Sequence, residues 1–110
     1  MKKNNSLDTW IDTGYLLFAE EGPEGIQIER LARMTNLNKS GFYHYFGDRD
    51  TYLERLMEKH FNDGLIFRDE MKKVVHFDPE FIHVLIAFPD TLLFHYQLIR
   101  NKHHPRLLNT

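Results

Sequence analysis

Leu7, Trp10, Ile11, Gly14, Leu17 and Phe18 recur every three or four residues, the spacing that lines one face of an α-helix. Ser6 stands where a hydroxyl can accept from a free N–H of the first turn, so it is expected to cap that helix. Two glycines and a proline in Gly22-Pro23-Glu24-Gly25 stop it. A short helix follows over about 27–35, with Ile28, Leu31 and Ala32 inward and Glu29, Arg30 and Arg33 outward. Asn36-Leu37-Asn38 reads as a tight turn, and Asn38 is placed to cap a second short helix over about 39–45. That helix buries Phe42 and one of Tyr45 or Phe46, and Gly47-Asp48 ends it. With Asp48 as cap, a long helix is expected from Arg49 through Leu53, Leu56, Met57, His60, Phe61 and Leu65 to about Lys73, with Gly64 as a point of bending. Asp78 and Pro79 have the form of another helix start, leading into the apolar run Phe81, Ile82, Val84, Leu85, Ile86, Ala87 and Phe88. Pro89 interrupts that run, a last helix extends over about 90–102, and Pro105 ends the order. No segment alternates with the period of a strand, so the fold class is all-α.

Composition narrows the reading. With 110 residues there is room for one domain, or a small module and part of another. A hydrophobic share of 42% supports a packed core and argues against disorder. Cysteine is absent, which removes disulfides, thiolate metal sites and thiol nucleophiles together. No run approaches the roughly 18 apolar residues of a membrane span, and the N-terminus lacks the apolar stretch of a secretory signal, so a cytoplasmic protein with no membrane partner is expected.

Enzyme readings find no footing: there is no Gly-rich phosphate loop, Ser6 and Ser40 lie outside any nucleophile-elbow pattern, and Glu20-Glu21 sit on an exposed helix face. Seven histidines raise the question of a metal. His103 and His104 are adjacent and would diverge by about 100° on a helix, while His76, His83 and His95 lack good ligands at helical spacing beyond a weak pairing of His76 with Glu80. No metal and no cofactor is expected.

Three short helices, the second and third joined by a three-residue turn, make a helix-turn-helix. In that motif the third helix lies in the major groove of DNA, so Lys39, Ser40 and Gly41 at its N-terminal end would approach base edges. The free N–H groups of that end also suit a phosphate. Charge does not by itself suggest DNA, since the net charge is -2 and residues 1–50 carry six basic against eight acidic side chains. Positive charge would have to gather on one face.

Ile28-Glu29-Arg30-Leu31-Ala32, the run from Leu37 to Phe46 (Leu-Asn-Lys-Ser-Gly-Phe-Tyr-His-Tyr-Phe), and then Arg49, Asp50 and Leu53 together resemble the TetR/AcrR family of bacterial regulators. Trp10, Phe18, Glu21, Gly22 and Gly25 stand where that family has its first helix and the turn after it. The resemblance implies that Lys39, Ser40 and Gly41 meet bases, that Tyr43 and His44 meet phosphates or bases, and that Tyr45 and Phe46 hold the helix to its neighbours. It puts Asn38 in the contact region as well, Arg49 in the place of a phosphate-binding lysine, and Gln27 in the place of a capping threonine that touches the DNA backbone. Asn36 replaces the usual turn glycine, a change its tolerance of the left-handed conformation allows, and Gly41 replaces a common threonine.

At the domain level the resemblance implies a DNA-binding head over residues 1–47, followed over 48–110 by a connecting helix and an incomplete ligand-binding and dimerisation domain. The implied function is a ligand-responsive repressor: a homodimer on double-stranded operator DNA, released by a small apolar inducer that changes the spacing of heads set about 34–36 Å apart. Phe81, Leu85, Phe88, Leu92 and Tyr96, together with Val84, Ile86 and Phe94, either line such an inducer pocket or form a helix-packing surface. The alternative function is a truncated interaction module that binds DNA weakly, or pairs with another regulator without repressing by itself.

Overall fold

The computed structural model describes residues 6–74 and 82–101, and every described element is helical. In order these are α1 (Ser6–Glu21), a 3₁₀ turn (Pro23–Gly25), α2 (Ile28–Thr35), α3 (Lys39–Phe46), α4 (Arg49–Lys72), α5 (Ile82–Ala87) and α6 (Pro89–Arg100).

Helix α1 is the hub, with α2, α3, α4 and α6 all packed on it. Its stripe is almost the expected one, with Trp10, Gly14, Leu17 and Phe18 buried, to which the structure adds Tyr15 and Ala19. The added residues reflect a second partner. One side of α1 meets the helix-turn-helix, and the other meets α6, so the buried arc is wider than a single interface needs. Ser6 is already helical, so it is not the cap, and the residues before it lie outside the described ones.

On the first side, Phe42 closes over Trp10 edge-on at 5.2 Å between ring centroids and meets Tyr52 at 4.9 Å. Tyr52 is fully buried on α4 and donates its hydroxyl hydrogen to the Trp10 carbonyl at 2.5 Å. Burial pushes its phenol well above the ordinary value, and it stays a neutral donor. The close approach depends on Gly14, since a Cβ there would lie 1.7 Å from the Tyr52 hydroxyl oxygen. Ile26, Leu31, Phe46, Leu53 and Leu56 complete this core.

Turn chemistry fixes the angles between the head helices. Gly22 at φ 82° allows the break after α1, and the Arg30 guanidinium clasps the Glu21 carboxylate with two bonds, 2.6 and 2.7 Å, across it. Asn36 sits at φ 59°, ψ 34°, the left-handed conformation expected of it, and turns the chain from α2 to α3. Asp48 caps α4 by accepting from the Thr51 N–H at 2.8 Å. Its carboxyl is held below the usual range by that bond. Asn38 occupies the cap position of α3 with extended backbone but makes no side-chain cap bond.

Helix α4 runs unbroken past Gly64, yet its buried residues, Tyr52, Leu53 and Leu56, all lie in its first third. On the second side of α1, Phe94 of α6 is fully buried between Tyr15 (4.3 Å) and Phe18 (4.2 Å), with both ring pairs stacked. Pro89 opens α6 at its first turn, so the expected interruption is a helix start. The expected helix start at Asp78 and Pro79 lies outside the described residues.

A chain of polar groups joins the same three helices. His60 of α4 lies 3.0 Å from the Tyr15 hydroxyl through Nδ1 and 3.2 Å from His95 Nδ1 through Nε2, while its ring stacks on Phe94. A neutral His60 with its proton on Nε2 satisfies both contacts, accepting from Tyr15 and donating to His95. Burial, and then the neighbouring His95, lower the His60 pKa below its ordinary value of 6.5, against a smaller opposing pull from Asp63. Burial also raises the Tyr15 phenol to about 12. For a base with a depressed folded-state pKa, the unfolded chain takes up the proton first as pH falls. This contribution to stability is therefore complete above about pH 6.5 and is lost below it, toward the folded-state value. The thermal midpoint is expected to drop between about pH 7.5 and about pH 5, and to drop less in His60→Phe. Equal pH profiles for the two proteins would remove His60 as the cause.

Candidate nucleic-acid interface

Helix α3 has two unlike faces. Phe42 and Phe46, one turn apart, are buried and tie it to α1 and α4. Tyr45 falls at the edge of that stripe and is exposed, so of the two aromatics expected to share the anchoring, Phe46 does it. The opposite face carries Lys39, Ser40, Tyr43 and His44, all exposed. Tyr43 is 49% exposed and keeps only an edge contact with Phe42, 5.4 Å between centroids. Gly41 lies among these residues, and a Cβ built on it meets nothing within 4 Å. Six of the eight DNA-contact residues expected from the sequence, Asn38, Lys39, Ser40, Gly41, Tyr43 and His44, thus belong to one short helix and its cap.

The other two stand apart. Gln27 is exposed at the cap position of α2; its side chain makes no cap bond and reaches the Glu24 carbonyl at 3.4 Å. Arg49, expected at a phosphate, is engaged within the protein. Its Nε donates to the Ile26 carbonyl at 2.8 Å and its Nη2 to the Pro23 carbonyl at 2.7 Å, so it pins the 3₁₀ turn to the start of α4.

Positive charge on the head is modest and largely engaged. Arg30 pairs with Glu21, Arg49 holds backbone carbonyls, and Lys39 Nζ lies 3.1 Å from Glu29 Oε2. Glu29 was read from the sequence as an outward residue within the run that carries the family resemblance, with no role of its own. Its partner is ten positions away on another helix, and no local spacing signals such a pair. The His60–His95 contact, across 35 positions, was hidden for the same reason.

An open cleft of about 480 Å³ lies where α1, α4 and the start of α6 meet, bordered by Asp12, Tyr15, Lys59, Asp63, Phe88 and Asp90 among others. Lys59 is held there by Asp63 at 3.1 Å and lies over the Tyr15 ring. Of the residues expected to line an inducer pocket, Phe88 borders this cleft. Leu85 and Leu92 are half-buried elsewhere, Tyr96 is 57% exposed, and Phe81 lies outside the described residues. Among the described residues no three His, Cys, Asp or Glu side chains are grouped to hold a metal, and no helix is long and apolar enough to cross a membrane.

Residues 11–56, from α1 to the second turn of α4, match the family described as bacterial regulatory proteins, tetR family. No curated protein and no solved structure matches the chain.

Proposed function

We propose that this chain acts as a ligand-responsive repressor, a reading that starts from the match of residues 11–56 to the tetR family of bacterial regulatory proteins and from the helix-turn-helix those residues form. In this reading α3 enters the major groove of an operator, two heads engage successive grooves, and occupancy of the promoter blocks transcription. The observation that carries it is the division of α3, whose buried Phe42 and Phe46 leave Lys39, Ser40, Gly41, Tyr43 and His44 on an open face. Support for ligand control comes from the 480 Å³ cleft, which adjoins α1 of the head as well as α4 and α6. A molecule bound there would act on the helices that orient the head.

The test is duplex affinity as a function of salt. Lys39→Ala is expected to reduce the log–log salt slope by about 0.9 if the ammonium meets a phosphate, and Tyr43→Phe to weaken binding, both without a shift in melting temperature. Affinities and slopes equal to the parent in both variants would contradict the assignment of α3.

A second reading, a module that works by pairing with another protein, draws on the exposed apolar side chains Ile82, Ile86, Leu93, Tyr96 and Ile99 of α5 and α6. The solution mass with and without duplex separates the two. A dimer that takes up DNA supports the repressor, and a monomer that ignores it supports the module.

A further inference from the structure

We propose that Glu29 sets the discrimination of the head against non-operator DNA, by holding the Lys39 ammonium until matched base edges take it over. The inference rests on the reading of α3 as the DNA-contacting helix and concerns how that contact is regulated.

Lys39 is the first residue of α3, and the Glu29 carboxylate reaches it from the first turn of α2. Both side chains are open to solvent, 49% and 73% exposed, so the pair can break without repacking any core. Its neighbours make the pair consequential. Arg30 is clasped by Glu21 and Arg49 by two carbonyls, so Lys39 and Arg33 are the remaining described cations of α2 and α3. Glu29 is placed between these two. Its pKa is held below the usual carboxylate range by the bond to Lys39, then by the Lys39 charge, with Arg33 contributing further, so it is ionised at neutral pH.

Binding to random sequence is almost wholly a matter of neutralising phosphates. A lysine already neutralised by a carboxylate contributes little to it, and the carboxylate adds repulsion. An operator offers something different, guanine O6 and N7 edges that a lysine can contact at a gain of about tenfold to a hundredfold over the wrong base. An exposed ion pair is weak enough to be exchanged for that contact. Glu29 therefore lowers affinity for random DNA more than affinity for the operator.

The experiment titrates two labelled duplexes, one of random sequence and one selected from a random pool by the parent protein, across a salt series. The proteins are the parent, Glu29→Gln, Lys39→Ala and the double variant. Glu29→Gln is expected to bind the random duplex about two- to fivefold more tightly at low salt, with a slope steeper by about 0.9, and to gain less on the selected duplex. In the Lys39→Ala background the same substitution is expected to leave the slope unchanged, because no ammonium is released to meet a phosphate, and to relieve only the repulsion of one negative charge. An unchanged Glu29→Gln overturns the inference. So does an equal steepening of the slope in the Lys39→Ala background, which would reduce Glu29 to one negative charge among others. If the parent binds no duplex, or Lys39→Ala binds the selected duplex as the parent does, the reading of α3 fails and the inference fails with it.

Discussion

Phe42→Ala is expected to destabilise the head by about 3–5 kcal/mol, the range for removing a fully buried phenylalanine. The ring has no exposed surface and touches four others: Trp10 and Tyr52 from the neighbouring helices, and Tyr43 and Phe46 from its own. Relaxation cannot easily fill the gap, because Tyr52 is fixed by its bond to the Trp10 carbonyl and by the absence of a side chain at Gly14. The effect should also reach function, since Phe42 seats the helix whose open face is proposed to meet DNA. Denaturant unfolding followed by the fluorescence of Trp10, the single tryptophan, reads it directly. A midpoint equal to that of the parent would mean that the ring is outside the core.

Phe94→Ala is expected to be comparably severe, again about 3–5 kcal/mol for complete burial, but with a different reach. Phe94 is stacked against Tyr15, Phe18 and His60 and is the main apolar tie between α6 and the rest. Beyond it, α6 holds to α1 through Gln97, whose amide donates to the Ala19 and Glu20 carbonyls at a long 3.4 Å. Loss of the ring should release α6 ahead of the head. Amide exchange is then expected to accelerate across Pro89–Arg100 while Lys39–Phe46 keeps its protection. Uniform acceleration would show instead that α6 and the head form one cooperative unit.

The contrast between these two sites shows where the sequence could be read. Phe42 was legible because the head is built from local signals: a three-to-four-residue stripe, Asn36 at the turn and Asp48 at a cap, each acting within a few residues. The resemblance over the same segment is borne out by the family match to residues 11–56. Phe94 was legible as apolar but not as the anchor of α6, because its partners are more than 30 positions away and nothing near it in sequence marks them. Arg49 and Glu29 make the same point for charge. The sequence shows a cation next to a helix start and an acid on a helix face. Only the crossing of α2, α3 and α4 decides that the first turns to the carbonyls of Ile26 and Pro23, and that the second reaches Lys39. Tyr45 and Phe46, three and four residues after Phe42, were tied in the pattern, and packing against Tyr52 of α4 selects Phe46.

The account turns on α3 lying against DNA through its open face, and Gly41 offers a direct way to test that. A Cβ there meets nothing within 4 Å, and tryptophan has a better helix propensity than glycine, so Gly41→Trp is expected to keep the fold, with an unchanged melting curve as the check. On the DNA side the same ring would stand between the helix and the floor of the groove. Measured by fluorescence anisotropy on the parent's selected duplex, Gly41→Trp is expected to lose about tenfold to a hundredfold in affinity, the scale of a steric clash in a close-packed contact. Affinity equal to the parent, in a variant with an unchanged melting curve, would contradict the placement of α3 in the groove.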